Sequence, residues 1–246
     1  MNDRPDNAAE GVSRRERLRE QLIHDAKTVA REHIEAQGVD GLTLAGVARR
    51  LGVSPPALYR YFNGRQGLVR AVYDDLTAEL VRTIEQAAQR QDSDDIAAQI
   101  HAATRAVLTW TMANSAGFSL LMGAHYPAIA EAEEGIPTVI SQSLGNLFGE
   151  FFVRFADSGQ LKYPEDDEIP PALVPQLQLY RDSVKPGVPL GVAYMMIYCW
   201  RQIYGNLCMA IYKHLSFAFD DPEPLYENMI VDLLAHLGVE PSPNLR

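Results

Sequence analysis

The chain has 246 residues, of which 47% are apolar, and its formal net charge is -10. This length suits one large domain or a small module joined to a larger one, and the apolar content is enough for a packed core. A soluble globular protein is therefore predicted. The longest apolar run near the C-terminus, from Val192 to Trp200, is far shorter than the ~20 residues that cross a bilayer, so no membrane partner is expected.

The N-terminal stretch and the two cysteines indicate the cellular location that we expect for the protein. The N-terminal stretch is polar and has no apolar segment of the secretory type, so a cytoplasmic location is expected. Cys199 and Cys208 lie nine residues apart, which is neither a metal-binding spacing nor a disulfide framework. Buried thiols are the simpler interpretation, and neither a metal nor a cofactor is predicted.

The net negative charge comes from the C-terminal part of the chain. Residues 1–90 contain 14 basic and 13 acidic side chains, whereas residues 91–246 contain 8 and 19. The stretch from Gly41 to Tyr73 holds five arginines and no aspartate or glutamate. The net charge argues against a nucleic-acid partner, but this distribution leaves one locally basic segment near the N-terminus.

The elements predicted for the N-terminal part are helices. Residues 1–12 have no apolar period and are predicted to be a disordered tail. Helical spacing and capping signals then predict helices at 14–37, 44–51, 55–62 and 64–90. Thr43 is the expected N-cap of the second helix, and Ser54, followed by Pro55 and Pro56, is expected to cap the third through the N–H of Ala57. Two short helices joined by a tight turn that contains Gly52 form a helix-turn-helix, so residues 13–62 are predicted to be one domain and 64–90 a connection.

The remaining residues, 91–246, are predicted to form a larger helical domain. Apolar periodicity indicates helices at 96–114, 138–156, 190–215 and 224–237, and no stretch alternates at period two, so the fold class is all-α. The segment 158–189 contains six prolines and does not resemble part of a bundle core. It is interpreted as a long connection with a short helix near 173–182, of a length that is often functional or disordered.

Residues 55–62 divide into two faces when they are placed on a helix. Leu58 and Phe62 point inward, whereas Pro56, Ala57 and Arg60 point outward, with Tyr59 and Tyr61 on the flanks. A narrow outer strip of small residues with one arginine fits a DNA major groove, and the flanking hydroxyls reach phosphates. Thr43 and Arg65 would add phosphate contacts.

The stretch "GLTLAGVARRLGVSPPALYRYFNGRQGLVRAVY" closely resembles the DNA-binding domain of the TetR family of bacterial transcriptional regulators. The resemblance covers roughly residues 14–75, with glycine at 46 and arginine at 65 as departures from the usual pattern. By this resemblance the phosphate contacts are Thr43, Tyr59, Tyr61 and Arg65, and the groove-facing positions are Pro55, Pro56, Ala57 and Arg60. Ser54 is included in the expected interface as the start of the third helix.

The same resemblance implies the function. "WRQIYGNLCMAIYKHL", from Trp200 to Leu215, is similar to the Trp…Gly signature of one TetR C-terminal subfamily, although Tyr204 replaces the usual histidine. The family implies an Ω-shaped homodimer that binds a palindromic double-stranded DNA operator, acts as a repressor and is released by a small amphipathic effector. One short helix makes few base contacts, so a dimer with a spacing of about one DNA turn (~34 Å) is also expected on energetic grounds. The helices at 190–215 and 224–237 are the expected interface.

Aromatic residues of the C-terminal part are candidates for the effector pocket, because rings with polar tips suit an amphipathic ligand. They are Trp110, Phe118, His125, Tyr126, Phe148, Phe152, Tyr194, Tyr198 and Trp200. For each of them, ordinary core packing is the competing interpretation. His125 has no metal-ligating residue three or four positions later, so a structural histidine is favoured there.

Two other functional classes remain as alternatives. An enzyme is disfavoured, because the chain contains no nucleophile elbow, dinucleotide fingerprint, phosphate loop or histidine-rich metal pattern. A helical interaction protein without DNA binding is disfavoured by the basic segment and by the intact outer strip of the third helix. The preferred hypothesis is a ligand-responsive DNA-binding regulator.

Overall fold

A computed structural model of the protein describes residues 14–123 and 139–239. The predicted tail at 1–12, together with His125 and Tyr126, lies outside these residues. The described residues contain helices and no strand, which confirms the all-α class. The chain divides into two compact units, Met1–Val72 and Tyr73–Arg246.

The first unit is built from three helices and the start of a fourth. They are α1 (Arg14–Gln37), α2 (Leu44–Leu51), α3 (Pro55–Tyr59) and α4 (Gly64–Gln89), of which α4 continues into the second unit. The unit has a core of side chains exposed by no more than 5%, among them Ala30, Val47, Leu58 and Leu68. The bounds of α1, α2 and α4 match those of the predicted helices to within one residue.

The third helix is shorter than expected. α3 ends at Tyr59 rather than at residue 62, because the Tyr61 and Phe62 N–H groups both donate to the Leu58 carbonyl and close a turn. Leu58 and Phe62 are nonetheless buried, at 0% and 5% exposure, as the two-face prediction required. The shortening therefore changes the helix length and leaves the buried face unchanged.

The described residues of the second unit form six further helices. They are α5 (Ile96–Ala113), α6 (Ser115–Met122), α7 (Val139–Asp157), α8 (Val174–Val184), α9 (Leu190–Ile211) and α10 (Glu223–His236). α5 packs against α6, α7, α9 and α10, and α9 packs against α7, α8 and α10 as well. Most of α5 is buried, including its polar residues Gln99 and Thr111, which is typical of a central helix. None of the helices in the described residues is long and apolar enough to span a membrane.

Two helix ends differ from their predictions for local reasons. α5 stops at Ala113, and α6 starts at Ser115, because Asn114 leaves helical geometry at φ -131° and ψ 51°. α9 stops at Ile211 rather than at residue 215, where the chain reverses through Lys213 at a left-handed φ of 56°. The break after Ile211 is not marked by proline or by glycine, so the apolar period continued past it in the sequence.

The segment 158–189, here named the connecting segment, is packed into the second unit. Ile169 is only 2% exposed and joins Leu177 and Leu190 in a cluster, and the Lys162 N–H donates to the Leu237 carbonyl at 2.9 Å. A Cβ at position 191 would lie 2.0 Å from the Pro164 carbonyl oxygen, so the segment crosses α9 where only glycine fits. The expectation that this segment does not belong to the core was wrong, because its sparse apolar residues are the ones that are buried.

Candidate functional site

The turn between α2 and α3 is fixed by its end groups. Thr43 is the N-cap of α2, and its side-chain oxygen accepts a hydrogen bond from the Gly46 N–H at 3.1 Å. A Cβ at position 46 would approach the Thr43 hydroxyl to 3.0 Å, so glycine keeps this cap uncrowded. Gly52 ends α2 at a φ of 69°, and the Val53 N–H donates to the Ala48 carbonyl in a Schellman arrangement. The turn geometry is thus set by the residues that the sequence analysis named.

The outer surface of α3 is exposed to solvent. Pro55, Pro56, Tyr59 and Arg60 are exposed, Tyr59 by 59%, while Ala57 is half-buried. Leu58 is fully buried on the opposite side of the helix. The predicted separation between a packed face and a free face is therefore present in the structure.

Ser54 precedes α3 but does not cap it through its side chain. The Ala57 N–H donates to the Ser54 backbone carbonyl at 2.9 Å, and the hydroxyl makes no capping bond. The expected hydroxyl cap was wrong, because Pro55 and Pro56 remove two donors and the backbone carbonyl takes the third. The Ser54 hydroxyl therefore stays available on an exposed residue.

Tyr61 lies among arginines from two helices. The Arg60 guanidinium carbon is 5.9 Å from the centre of the Tyr61 ring, and that of Arg19 is 5.7 Å away. These residues line an open groove with Arg15 and with other residues of α1: Glu16, Leu18 and Leu22. Three guanidinium groups along one groove make a surface that attracts anions.

Arg65 is tethered to the turn between α1 and α2. Its Nη2 atom donates to the Val39 carbonyl at 2.8 Å and lies 3.6 Å from an Asp40 carboxylate oxygen. The Arg65 side chain remains 42% exposed, and a guanidinium carries five N–H donors. The arrangement positions the group and leaves part of it free for another anion.

The second unit encloses an apolar cavity of about 290 Å³. Its walls come from α6, α7, α8 and α9. The lining residues are Leu121, Met122, Leu144, Gly145, Phe148, Phe152, Tyr180, Val184, Met196, Cys199, Trp200, Ile203 and Tyr204. Cavities of this size, with few polar groups, are typical of small-molecule sites.

The polar groups of the lining are all neutral. Burial raises the pKa of the Cys199 thiol to about 12, and it raises the pKa of the Tyr180 phenol, which lies near that thiol, to the same value. The pKa of Tyr204 is also raised to about 12, first by burial and then by a hydrogen bond with Cys208. No Asp, Glu, Lys or Arg is among the described residues that line the cavity. The described part of the lining therefore carries no formal charge near neutral pH.

Comparison with known proteins identifies the first unit. Residues 28–72 match the profile of "Bacterial regulatory proteins, tetR family". An HTH-type transcriptional regulator of Mycobacterium tuberculosis is 27% identical over 155 residues, which are 63% of this chain and 66% of the relative. Residues 28–72 form a TetR-family domain. The chain spans just under two thirds of the mycobacterial relative's length.

Further comparisons find similar proteins and structures of the same fold. The nucleoid occlusion factor SlmA of Pasteurella multocida is 31% identical over 87 residues, or 35% of this chain and 43% of SlmA. A solved structure of a candidate regulatory protein, SCO4313, superposes with a TM-score of 0.67 at 23% identity and covers 91% of this chain and all of its own. RolR in complex with resorcinol has a TM-score of 0.54 at 17% identity, with 93% of both chains covered. The two solved structures thus share the fold of this chain.

The predicted pocket residues that the structure describes fall in three places. Phe148, Phe152 and Trp200 line the cavity. Trp110 does not line it, because its indole is buried and donates to a Glu79 carboxylate oxygen at 2.8 Å. Phe118 is fully buried in the core, where its ring lies 6.2 Å from that of Tyr204.

The two remaining described candidates border a separate groove. Tyr194 and Tyr198 lie there beside Arg201, whose guanidinium is 4.6 Å from the centre of the Tyr198 ring. Their side chains are half-buried. The aromatic criterion alone therefore did not distinguish cavity, groove and core.

The sequence analysis missed residues at both sites. Arg15 and Arg19 were omitted because the basic window was started at Gly41, although the charged run "RRER" at 14–17 was a visible signal. Tyr180 was missed because the proline-rich connecting segment was treated as outside the core. Tyr204 was noted only for its place in the Trp…Gly signature, and no pattern in the sequence marked it as a cavity residue.

Proposed function

We propose that this protein is a ligand-responsive regulator of the TetR family, a repressor that binds a palindromic DNA operator as a homodimer and is released by a small molecule. The observation that carries the proposal is the exposed outer surface of α3, held by a capped α2 and a glycine-ended turn. α3 has only five residues, so one copy offers few base contacts, and two copies would double them on a palindromic site.

The contacts to DNA divide by chemistry. Arg60 and the prolines of α3 are proposed to face base edges, and Tyr59, Thr43 and Arg65 to meet phosphates. The arginine groove around Tyr61 supports an extension of this interface, because Arg15 and Arg19 would place two further cations beside the DNA backbone. Phosphate contacts set the register on the duplex, and base contacts set the sequence preference.

The homodimer is supported by exposed apolar side chains that follow α9. Phe217 is 86% exposed, Phe219 48% and Tyr212 44%, and Met112 of α5, which borders a shallow groove with Phe219, is 46% exposed. Exposed apolar groups that lie close together mark association sites more often than chance. An interface formed by α9, α10 and the turn after α9 would remove them from water.

The cavity supports control by a ligand, because one of its walls adjoins the helix that continues into the first unit. Leu121 and Met122 of α6 line the cavity, and Gly117 of the same helix lies against Leu76 of α4, where a Cβ would come within 3.3 Å of the Leu76 Cδ2 atom. A ligand that displaces α6 would therefore press on α4. Such a shift would change the position of α3 on its operator only if the ligand prefers the displaced arrangement.

DNA-binding assays with the full chain test this proposal. DNA taken from beside the protein's own gene and a shuffled duplex of equal length would be titrated by fluorescence anisotropy. Arg60→Ala is expected to cost ~1 to 3 kcal/mol on the specific DNA and much less on the shuffled duplex, because base contacts carry the preference. Arg90→Ala, at an exposed position after α4, is the matched control and should change neither affinity. Equal affinities of the wild-type protein for both duplexes would refute sequence-specific regulation.

A further inference from the structure

We propose that the effector is an uncharged, mostly apolar molecule of about 12 non-hydrogen atoms whose single hydrogen-bonding group meets the Tyr180 hydroxyl; the estimate of size scales from the cavity that holds benzene. This inference rests on the proposed function in one respect, because it takes the apolar cavity to be the effector site. It concerns the chemistry of the ligand, which the family of the protein does not specify.

The charge of the ligand follows from the lining. The described cavity residues include no acidic or basic side chain, and the phenols and the thiol among them are neutral. An ion placed there would lose its water without gaining a counter-ion from the described residues, a change that disfavours charged ligands strongly. Neutral molecules have no such penalty.

The size of the ligand follows from the volume. An engineered cavity of about 150 Å³ holds one benzene, which has six non-hydrogen atoms. The present cavity measures about 290 Å³, so it fits about twice that number, which is the size of a fused two-ring molecule. The rings of Phe148, Phe152 and Trp200 provide faces and edges against which such a molecule can pack.

The position of the polar group follows from which cavity hydroxyl is already bonded. Tyr204 donates its hydroxyl hydrogen to the Met122 carbonyl at 2.7 Å. The Tyr180 hydroxyl and the Trp200 indole N–H have no hydrogen-bond partner among the described residues. Of these two groups, the indole N–H can only donate, whereas the Tyr180 hydroxyl can both donate and accept and so matches a ligand hydroxyl in either direction. Tyr180 is therefore the expected anchor.

Tyr180 also marks the boundary between the cavity and the groove of about 330 Å³ that contains Arg201. It lines both spaces, whereas Arg201 lines the groove alone. An anionic head group would find its cation in the groove and outside the cavity. The alternative ligand is an amphipathic anion that spans both spaces. The two ligands differ in how a negative charge on the ligand affects its affinity, which a titration measures.

Calorimetric titration of the full chain with three related probes tests the proposal without DNA. 2-Naphthol carries the hydroxyl, naphthalene lacks it, and 2-naphthoate replaces it with a charge. We expect 2-naphthol to bind about one molecule per chain, naphthalene about three- to tenfold more weakly, and 2-naphthoate at least about 100-fold more weakly. Tyr180→Phe should lower the affinity for 2-naphthol by the same three- to tenfold, roughly one hydrogen bond, and leave naphthalene unchanged.

Tyr226→Phe is the matched control, because Tyr226 belongs to the same unit, does not line the cavity, and donates its hydroxyl hydrogen to the Thr104 carbonyl at 3.1 Å. It should lower the melting temperature and change the 2-naphthol affinity less than about twofold. The proposal fails if neither 2-naphthol nor naphthalene binds at its solubility limit, if 2-naphthoate binds as well as 2-naphthol, or if the two tyrosine variants behave alike. Loss of DNA binding in the anisotropy assay would refute the proposed function and leave these titrations interpretable.

Discussion

Replacement of Asp40 by asparagine should strengthen the binding of DNA. The Asp40 carboxylate lies 3.6 Å from the Arg65 guanidinium and is 90% exposed. If Arg65 contacts a phosphate, the carboxylate competes with that phosphate for the same cation. Asp40→Asn removes the competitor and leaves the 2.8 Å bond from Arg65 to the Val39 carbonyl, so the guanidinium stays in place.

The size of the effect follows from the separation of the charges. Two unit charges 3.6 Å apart interact by about 1.2 kcal/mol at the dielectric constant of water, from Coulomb's law. Salt and side-chain mobility reduce exposed pairs to ~0.2 to 1 kcal/mol. The affinity for a duplex of any sequence should therefore rise about 1.5- to fivefold at low salt.

Anisotropy titrations over a range of salt concentrations measure this change, and the Arg65→Ala background shows its origin. Arg65→Ala itself should lower the slope of log affinity against log salt by about one unit, because one phosphate contact is lost. In that background Asp40→Asn should have little effect, and Asp40→Glu, which keeps the charge, should have none. An equal gain from Asp40→Asn with and without Arg65 would show that the effect does not pass through Arg65 and would refute the assignment.

Three further outcomes are expected. Thr43→Ala should destabilise the first unit by ~0.5 to 2 kcal/mol in denaturant titrations through loss of the cap, whereas Thr43→Ser should not; equal midpoints for all three proteins would contradict the cap. Burial raises the pKa of Tyr180 to about 12, so its contribution to stability is complete below the unfolded value of 10.0 and is lost as the pH rises through 12. The Tyr180→Phe protein should therefore lose ~2 to 3 kcal/mol less stability than the wild type over this alkaline range. Parallel profiles of stability against pH for the two proteins would count against this. Sedimentation at micromolar concentration should give a dimer, and Phe217→Ser should raise its dissociation constant about tenfold or more if Phe217 is buried in the interface; a monomeric wild-type protein would rule out the dimer.

Local signals predicted the first unit closely because each of its boundaries is fixed by a few neighbouring residues. Thr43 and Gly52 delimit α2 through bonds that span at most five residues, and the sequence contains everything needed to place them. The hydroxyl of Ser54 was misassigned for the same local reason, because a backbone carbonyl competes with the side chain for one N–H. The backbone geometry decides which of the two acceptors receives the N–H, and the sequence pattern does not indicate the outcome.

The cavity could not be predicted in the same way, because its walls come from helices that are distant in sequence. Tyr180 joins Phe148 and Trp200 only after the connecting segment has folded back on the bundle. Trp110 has the same composition signal as Trp200, yet it is buried away from the described cavity lining, where its indole donates to Glu79. Long-range packing rather than residue type separates the two tryptophans.

If the cavity is the effector site, the packing of the connecting segment determines how the chain could come to accept a different effector. Tyr180 and Val184 of this segment form one wall of the cavity, and the segment is tied down by Ile169 and by the bond from Lys162 to Leu237. All of these residues belong to the second unit and are remote in sequence from Thr43 and Arg60. Recombination or grafting of this one stretch would therefore replace a recognition wall while preserving the helices proposed to read DNA, so new chemical inputs can be acquired without redesigning the output.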